Sequence, residues 1–257
     1  MVGKLLARGM LAGIVAGLLT FGFAKIAGEP SVDQAISFEE KMAEAHEHAD
    51  GHEHAGGAHE HEEELVSRQT QAGLGLFTGV AVYSAAIGGL FALVYAYAYG
   101  RAGKFGARAL SAWLALAAFI AVVIVPNLKY PANPPSIGHA ETIGYRTGLF
   151  FLMIAISIAA AVFSLKARHH AMAKFGAWNG SIAAAGLFVA IIAAVQVGLP
   201  AINEVPAAFP AALLWKFRLA AIGMQAIMWG TIGLLFGALA EQLETRQYRH
   251  RNQEART

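Results

Sequence analysis

The sequence predicts an all-α, polytopic membrane protein, a bundle of about six transmembrane helices. Of the 257 residues, 56% are hydrophobic and only 14% are charged, and the mean hydropathy is +0.49. A soluble domain carries about 25% charged residues. The apolar residues also gather into runs of about 20, which is the length of helix that crosses a bilayer. The lipid bilayer is therefore the expected surroundings of this chain.

Six stretches are long and apolar enough to cross a bilayer as helices. They cover approximately residues 5–27, 72–99, 108–126, 146–165, 177–198 and 213–239. We expect the third helix to end at Pro126, because proline interrupts an α-helix. The whole chain is then a single transmembrane domain, with a long hydrophilic loop at 28–71 and a basic tail at 240–257.

The first apolar run could also belong to a secretory signal peptide, since Lys4 and Arg8 precede it. However, the run from Gly9 to Ile26 is longer than a signal-peptide core, and Lys25 interrupts the small-residue pattern that precedes a cleavage site. We therefore expect a first helix that is retained.

The distribution of charge predicts the orientation, because cytoplasmic loops carry the excess of Lys and Arg. With six helices and a cytoplasmic first terminus, twelve bases and three acids lie inside, a net charge of +9. Seven bases and fourteen acids lie outside, a net charge of −7. Every inner loop is then basic and the longest outer loop is acidic, so we expect both termini in the cytoplasm.

Glycines recur four residues apart in three of the predicted helices, a spacing that lets helix backbones approach closely in lipid. The sets are Gly9, Gly13 and Gly17; Gly75 and Gly79; and Gly233 and Gly237. Packing within one bundle is the preferred interpretation, and contact between copies of the chain is the alternative.

The long outer loop begins with an amphipathic stretch, Ser31 to Ala45, in which Ser31 and Gln34 fit the start of a short surface helix. The loop then becomes rich in histidine and acids. Six of the ten histidines form three His-x-His pairs, which are His46 and His48, His52 and His54, and His59 and His61.

Neutral imidazole is the commonest protein ligand for borderline divalent metals, so this pattern predicts metal binding. A solvated linker without a metal role is the alternative. Gly51, Gly56 and Gly57 predict a pliable segment with no pre-formed geometry. We therefore expect poor selectivity and the role of an outer metal collector.

Almost no charge lies inside the six apolar runs, and the other polar residues gather at their outer ends. One group is able to line an outer vestibule that receives metal: Glu29, Asn127, Asn133, Asn203 and Glu204. In the alternative interpretation, outer bases such as Arg146 pair with nearby acids and fix the geometry of the helical hairpins.

Several classes of function are excluded or disfavoured. The chain has no cysteine, which excludes disulfides, thiolate ligands and thiol catalysis. No Walker loop, dinucleotide-binding turn, nucleophile elbow or zincin helix occurs. We predict no enzymatic activity and no cofactor other than a bound or transported divalent metal. A nucleic-acid partner is not expected, because the basic residues flank membrane-spanning runs.

Six segments resemble the CbtA-type predicted cobalt transporter family. They are GEP (28–30), EEELVSR (62–68), GLGLFTG (73–79), LKYPANPP (128–135), LPAINEVP (199–206) and FPAALLWKFR (209–218). The resemblance covers nearly the whole chain and implies cobalt uptake across the bacterial inner membrane, tied to cobalamin synthesis. It also implies a very small membrane partner of the CbtB type. Family members are described with five spans, whereas the charge pattern here predicts six.

Cobalt is implied by the resemblance alone, because histidine and carboxylate sites favour nickel and copper over cobalt. Two other functions stay open. The chain is then either a metal-binding accessory or sensor that moves nothing, or a scaffold subunit whose partner carries the transport path.

Overall fold

The structure is a computed structural model that describes residues 2–49, 67–135 and 137–254. Within these ranges the chain is helical and contains no strand, which confirms the predicted all-α class. The helices are α1 (Val2–Phe23), α2 (Glu29–Ala49), α3 (Arg68–Thr70), α4 (Leu76–Ala98), α5 (Ala107–Ala118), α6 (Val125–Lys129), α7 (Ile143–Gly198) and α8 (Ala211–Glu254), with a 3-10 turn at Ala140–Thr142.

Three junctions between consecutive helices are π-helical, so the helix continues through them. They lie at Ala24–Gly28, Gln71–Gly75 and Phe119–Ile124. Five continuous helices in the described ranges are long and apolar enough to cross a membrane: Val2–Met42, Arg68–Ala98, Ala107–Lys129, Ile143–Gly198 and Ala211–Arg246. A multi-pass helical membrane protein is therefore the class that the fold defines.

The helix predicted within Ser31 to Ala45 is confirmed, because this stretch lies in α2. Its predicted start at Ser31 was wrong, since α2 follows α1 through the π-helical turn and Ser31 is buried inside it. The predicted end of the third helix was also wrong. Pro126 does not end the third helix, since it lies in the first turn of α6. A proline in the first turn of a helix costs no hydrogen bond, because the backbone N–H groups of that turn have no partner within the helix. Here the π-helical segment ends just before α6, so Pro126 lies in such a first turn.

The helices form two compact units, which are described separately. The first comprises Met1–Leu116, Pro134–Ser136 and Pro210–Thr257, and the second comprises Ala117–Asn133 and Ile137–Phe209. The first unit therefore contains α1 to α4, most of α5, and α8. The second contains the rest of the third long helix and all of α7.

Close backbone contact between α1 and α4 holds the first unit together. A Cβ atom at Gly13 would overlap the carbonyl oxygen of Ser84, and one at Gly88 would overlap the carbonyl oxygen of Gly9. The predicted packing of the first glycine set within one bundle is thus confirmed.

The last glycine set is also confirmed, whereas the middle set is not. A Cβ atom at Gly233 would lie 2.5 Å from Cβ of Ala115 in α5, and the Ser111 hydroxyl donates a 2.6 Å hydrogen bond to the Gly233 carbonyl. Gly79 has no heavy atom near its Cβ position, so the packing prediction is wrong at that residue.

In the second unit, α7 folds back on itself at Gly176, whose φ of 80° and ψ of 169° are not helical. Nε of Arg168 donates a 2.9 Å hydrogen bond to Oγ of Ser181 across this reversal. Leu149 and Ile192 share one hydrophobic core, although a straight helix would place them about 65 Å apart. The two arms, 143–175 and 177–198, therefore pack side by side.

Candidate functional site

In the first unit, acidic residues of α2 are held by a base at the start of the next helix. Nη2 of Arg68 lies 2.7 Å from Oε2 of Glu29 and 2.9 Å from Oδ1 of Asp33. The two acids are one helical turn apart and therefore share a face of α2. Since the Glu29 side chain is only 12% exposed and already neutralised, it serves in this arrangement as a cross-link between helices.

The two π-helical turns of the first unit are joined beside this ion pair. Lys25 lies in the first of them, and its Nζ donates a 3.1 Å hydrogen bond to the carbonyl oxygen of Ala72 in the second. A carbonyl inside lipid needs a partner within the protein. Lys25, whose basic charge spoiled the signal-peptide pattern, thus satisfies a backbone group of the neighbouring helix.

In the second unit, polar side chains satisfy backbone carbonyls around the third π-helical turn. Asn127 donates a 2.8 Å hydrogen bond to the Val123 carbonyl, and Gln196 of α7 donates a 3.0 Å bond to the Val125 carbonyl. Nζ of Lys129 in turn lies 2.7 Å from the Gln196 carbonyl. These bonds connect the end of the third long helix to the end of α7.

Glu204 lies at the same end of α7 and is surrounded by donors. Its Oε2 accepts a 3.0 Å hydrogen bond from the backbone N–H of His139 and lies 3.3 Å from Nη1 of Arg146. The polar group of Thr142 is the main cause that lowers the pKa of Glu204 below its ordinary value of 4.5, with the His139 N–H and the charge of Arg146 acting in the same direction. The carboxylate is therefore ionised at neutral pH.

Gly138 is required for this arrangement. Its φ is +117°, and a Cβ atom there would lie 2.5 Å from Nη2 of Arg146. The guanidinium group can reach Glu204 only because the glycine leaves that space open.

We expect the substitution Glu204→Gln to remove part of the acid sensitivity of the protein. Because the pKa is lowered in the folded state, the carboxylate stabilises the fold fully above about pH 4.5 and loses this effect as pH falls through the lower folded value. Thermal unfolding is measured in detergent between pH 7 and pH 3. At pH 7 the variant should melt at a lower temperature than wild type, and below about pH 4.5 its melting temperature should fall less steeply with pH than that of wild type.

Glu141→Gln is the matched control, because Glu141 is an exposed acid in the 3-10 turn that also contains Thr142, and it has no ion pair among the described residues. The control should follow the wild-type profile. If Glu204→Gln also follows it, the described contacts of Glu204 do not stabilise the fold.

The five residues of the predicted vestibule are divided between the two units. Glu29 belongs to the first, and the other four belong to the second. Asn203 is exposed and accepts a 3.4 Å hydrogen bond from the Val205 N–H, whereas Asn133 is half-buried in the loop after α6. The predicted pairing of outer bases with acids is confirmed for Arg68 and Arg146, and the vestibule itself stays a prediction.

The predicted metal-binding histidines lie at and beyond the end of α2. The backbone of His46 and His48 forms its last turn, but their side chains are outside the described part of the structure. His52, His54, His59 and His61 lie outside the described residues altogether. Among the residues that are described, no three His, Asp or Glu side chains come together as a ready metal site.

Sequence reasoning missed some of the residues that form the contacts of Glu29 and Glu204. Asp33, Thr142 and the backbone N–H of His139 were not singled out, because each acquires its role only through a contact with a distant residue. Asn127 and Lys129 directly after Pro126 were the available signal, since polar side chains beside an interrupted helix often satisfy its carbonyls.

Long apolar helices with polar cross-links at their ends define a multi-pass helical membrane protein. The chain belongs to the CbtA family, described as "Probable cobalt transporter subunit", whose family model matches residues 2–241. No curated protein and no solved structure matches the chain.

Proposed function

We propose that this chain is an inner-membrane component of Co²⁺ uptake, in which the histidine-rich segment collects metal on the outer side. The observation that carries the proposal is the family match, which covers the first four long helices and residues 211–241 of the fifth. The arrangement of charge supports it, because acids and histidines dominate the segment after α2 while bases dominate the inner loops. Cobalt is then the transported substrate and not a resident cofactor.

We further propose six membrane spans with both termini in the cytoplasm. The fold-back of α7 at Gly176 supports this number, since each arm is long enough to cross by itself. The shorter arm, 177–198, extends about 33 Å as a helix, against a hydrocarbon core of about 30 Å. Five spans would require the 56-residue α7 to cross only once.

Labelling of single cysteines distinguishes six spans from five, and the absence of native cysteine makes it direct. We expect cysteines at His52, Ser136 and Ala207 to react with a membrane-impermeant reagent from outside, and those at Gly103 and Gln253 only from inside. With five spans, Gly103 and Gln253 would lie on opposite sides of the membrane. Outside labelling at Gln253 would therefore contradict the proposal.

The histidine pairs suit a collector better than a selective site. Gly51, Gly56 and Gly57 leave the segment that carries the pairs without a rigid frame, so binding two imidazoles to one ion must also order the chain. Binding coupled to such a change is weaker and less selective than binding to a rigid cage. A collector raises the local metal concentration without fixing which metal passes.

Radiolabelled Co²⁺ flux into proteoliposomes tests the proposal. We expect purified wild-type chain, alone or with a small partner subunit, to give saturable flux. Replacing all six loop histidines by glutamine should raise the half-saturating Co²⁺ concentration several-fold and leave the maximal flux unchanged. Outside pH near 5.5 should have the same effect on wild type, because free imidazole protonates with a pKa of about 6.5.

His169→Gln with His170→Gln is the matched control, because these exposed histidines lie in the first arm of α7, away from the loop histidines in the sequence. It should behave as wild type. Loss of maximal flux in the loop variant would make the loop part of the transport path itself. Cobalt binding without any flux would support the accessory or sensor function instead. Flux by the partner without this chain would support a scaffold.

A further inference from the structure

The second unit contains an apolar cavity of about 280 Å³ that opens to its surface. Three helical segments surround it: the π-helical turn with Ile120 and Ala121, the first arm of α7 with Ala161, and the second arm with Ala185 and Phe188. A water molecule takes about 30 Å³, and apolar cavities of this kind do not hold stable water. An apolar ligand is the occupant that fits this lining.

Polar groups are confined to one end of the cavity. Arg168 and Ser181 line it at the end nearest the reversal at Gly176, and Ser164 lines it one helical turn further in. Seven residues of helix separate Arg168 from Ala161 and Ser181 from Phe188, which corresponds to about 10 Å of apolar wall. The cavity thus has the polarity of a lipid molecule, charged at the interface and apolar below it.

The hydrogen bonding of the polar side chains indicates which lipid headgroup fits the cavity. Arg168 uses Nε to bind Ser181, and its terminal nitrogens have no hydrogen bond among the described residues. The hydroxyl of Ser164 is buried and has no hydrogen-bond partner there either. Guanidinium groups pair well with phosphate, and a hydroxyl one turn deeper is a suitable donor to the ester that follows the phosphate in a phospholipid.

The charged residues of α7 near this end are all basic. They are Lys166, Arg168 and Lys174 of the first arm, and the whole of α7 contains no acid. The acids of the second unit, Glu141 and Glu204, lie at the other end of α7. Basic pockets between membrane helices on the cytoplasmic side bind anionic headgroups.

We propose that this cavity is a binding site for one anionic phospholipid, with its phosphate on Arg168 and an acyl chain along Ala161 and Phe188. The proposal rests on the membrane embedding proposed above but not on cobalt transport. Such a lipid would fill the space between the two arms of α7 and fix their spacing.

Native mass spectrometry and thermal unfolding of the full chain in detergent test the proposal, with dioleoyl phosphatidylglycerol compared with dioleoyl phosphatidylcholine. We expect wild type to retain one phosphatidylglycerol and to melt higher with it than with phosphatidylcholine. Arg168→Gln should weaken phosphatidylglycerol binding about tenfold or more, because charge-assisted hydrogen bonds are lost. Lys174→Gln, in the same arm of α7 but outside the cavity, is the charge control and should bind as wild type.

A second pair of variants tests whether an acyl chain occupies the apolar part of the cavity. These variants leave the Arg168–Ser181 hydrogen bond in place, so a loss of lipid binding in them cannot come from loss of that bond. Ala185→Phe fills the cavity from an exposed position and should abolish retention, while Ala183→Phe on another face of the same arm should not. Equal binding of both lipids by wild type, or equal losses in Arg168→Gln and Lys174→Gln, would overturn the site. Failure of Co²⁺ flux would leave these lipid measurements unaffected.

Discussion

Replacing Gly13 with valine is expected to separate α1 from α4 and to unfold the first unit at a much lower temperature than wild type. The new side chain would overlap the carbonyl oxygen of Ser84 and come within 2.8 Å of its carbonyl carbon and 2.9 Å of Ala85 Cα. Backbone atoms of a packed helix cannot rotate away as a side chain can. Overpacking costs about 1–3 kcal/mol and more where the backbone must move.

Gly22→Val provides the matched control, because Gly22 lies on the same helix with no heavy atom within 4 Å of its Cβ position. Both variants carry the same change in helix propensity, so the difference between them isolates the contact with α4. Thermal unfolding in detergent should show a large drop for Gly13→Val and a small one for Gly22→Val. Equal melting temperatures would mean that the α1–α4 contact does not hold the unit together.

This contact was predictable because a four-residue repeat of glycine has few interpretations other than close helix packing in lipid. The three π-helical turns were not predictable in the same way. Residues 119–124 are ordinary apolar residues, and their wider turn arises from packing and from the polar partners that neighbouring segments provide. For the same reason, the end of the third helix was placed wrongly at Pro126. A new α-helical segment begins after residue 124, and the helix tolerates the proline only because it lies in the first turn of that segment.

The contacts of Glu29 and Glu204 show the same limit. Polar residues at the ends of the apolar runs were visible in the sequence, and pairing of bases such as Arg146 with nearby acids was predicted, but the partner Glu204 was identified only by the structure. The hydrogen bond from Gln196 to the Val125 carbonyl depends on the register between α7 and the third long helix, and no local pattern specifies that register.

The inference from glycine spacing to helix packing failed at Gly79. The four-residue spacing is present there, but no heavy atom lies within 4 Å of its Cβ position.

The boundary between the fourth and fifth predicted helices illustrates why charge is a poor guide to secondary structure. Residues 166–175 were assigned to an inner loop because they carry Lys166, Arg168 and Lys174, yet they continue the helix up to Gly176. Lys, Arg, Ala and Met are all good helix formers, so the segment has no local reason to unwind. The chain reverses only where a glycine permits it.

Gly176→Val should therefore disrupt the reversal of α7. The φ of 80° combined with ψ of 169° is accessible to glycine and strongly unfavourable for a β-branched residue, with a cost of about 1–3 kcal/mol. The variant can relieve this strain by continuing the helix, which would separate the two arms and break the Arg168–Ser181 hydrogen bond. We expect a lower melting temperature and a changed distance between spin labels at Val162 and Ile182, both of which are exposed.

Gly186→Val is the control, since Gly186 lies in the second arm with no heavy atom near its Cβ position and helical φ. In a continuous helix the two labels would be about 30 Å apart, well beyond their separation in the folded-back arms. A wild-type distance and melting temperature in Gly176→Val would show that contacts along the arms, such as those in the Leu149–Ile192 core, are sufficient to impose the reversal without the glycine. Because the proposed six-span topology depends on this reversal, the same variant should also alter which side of the membrane a cysteine at Gln253 faces.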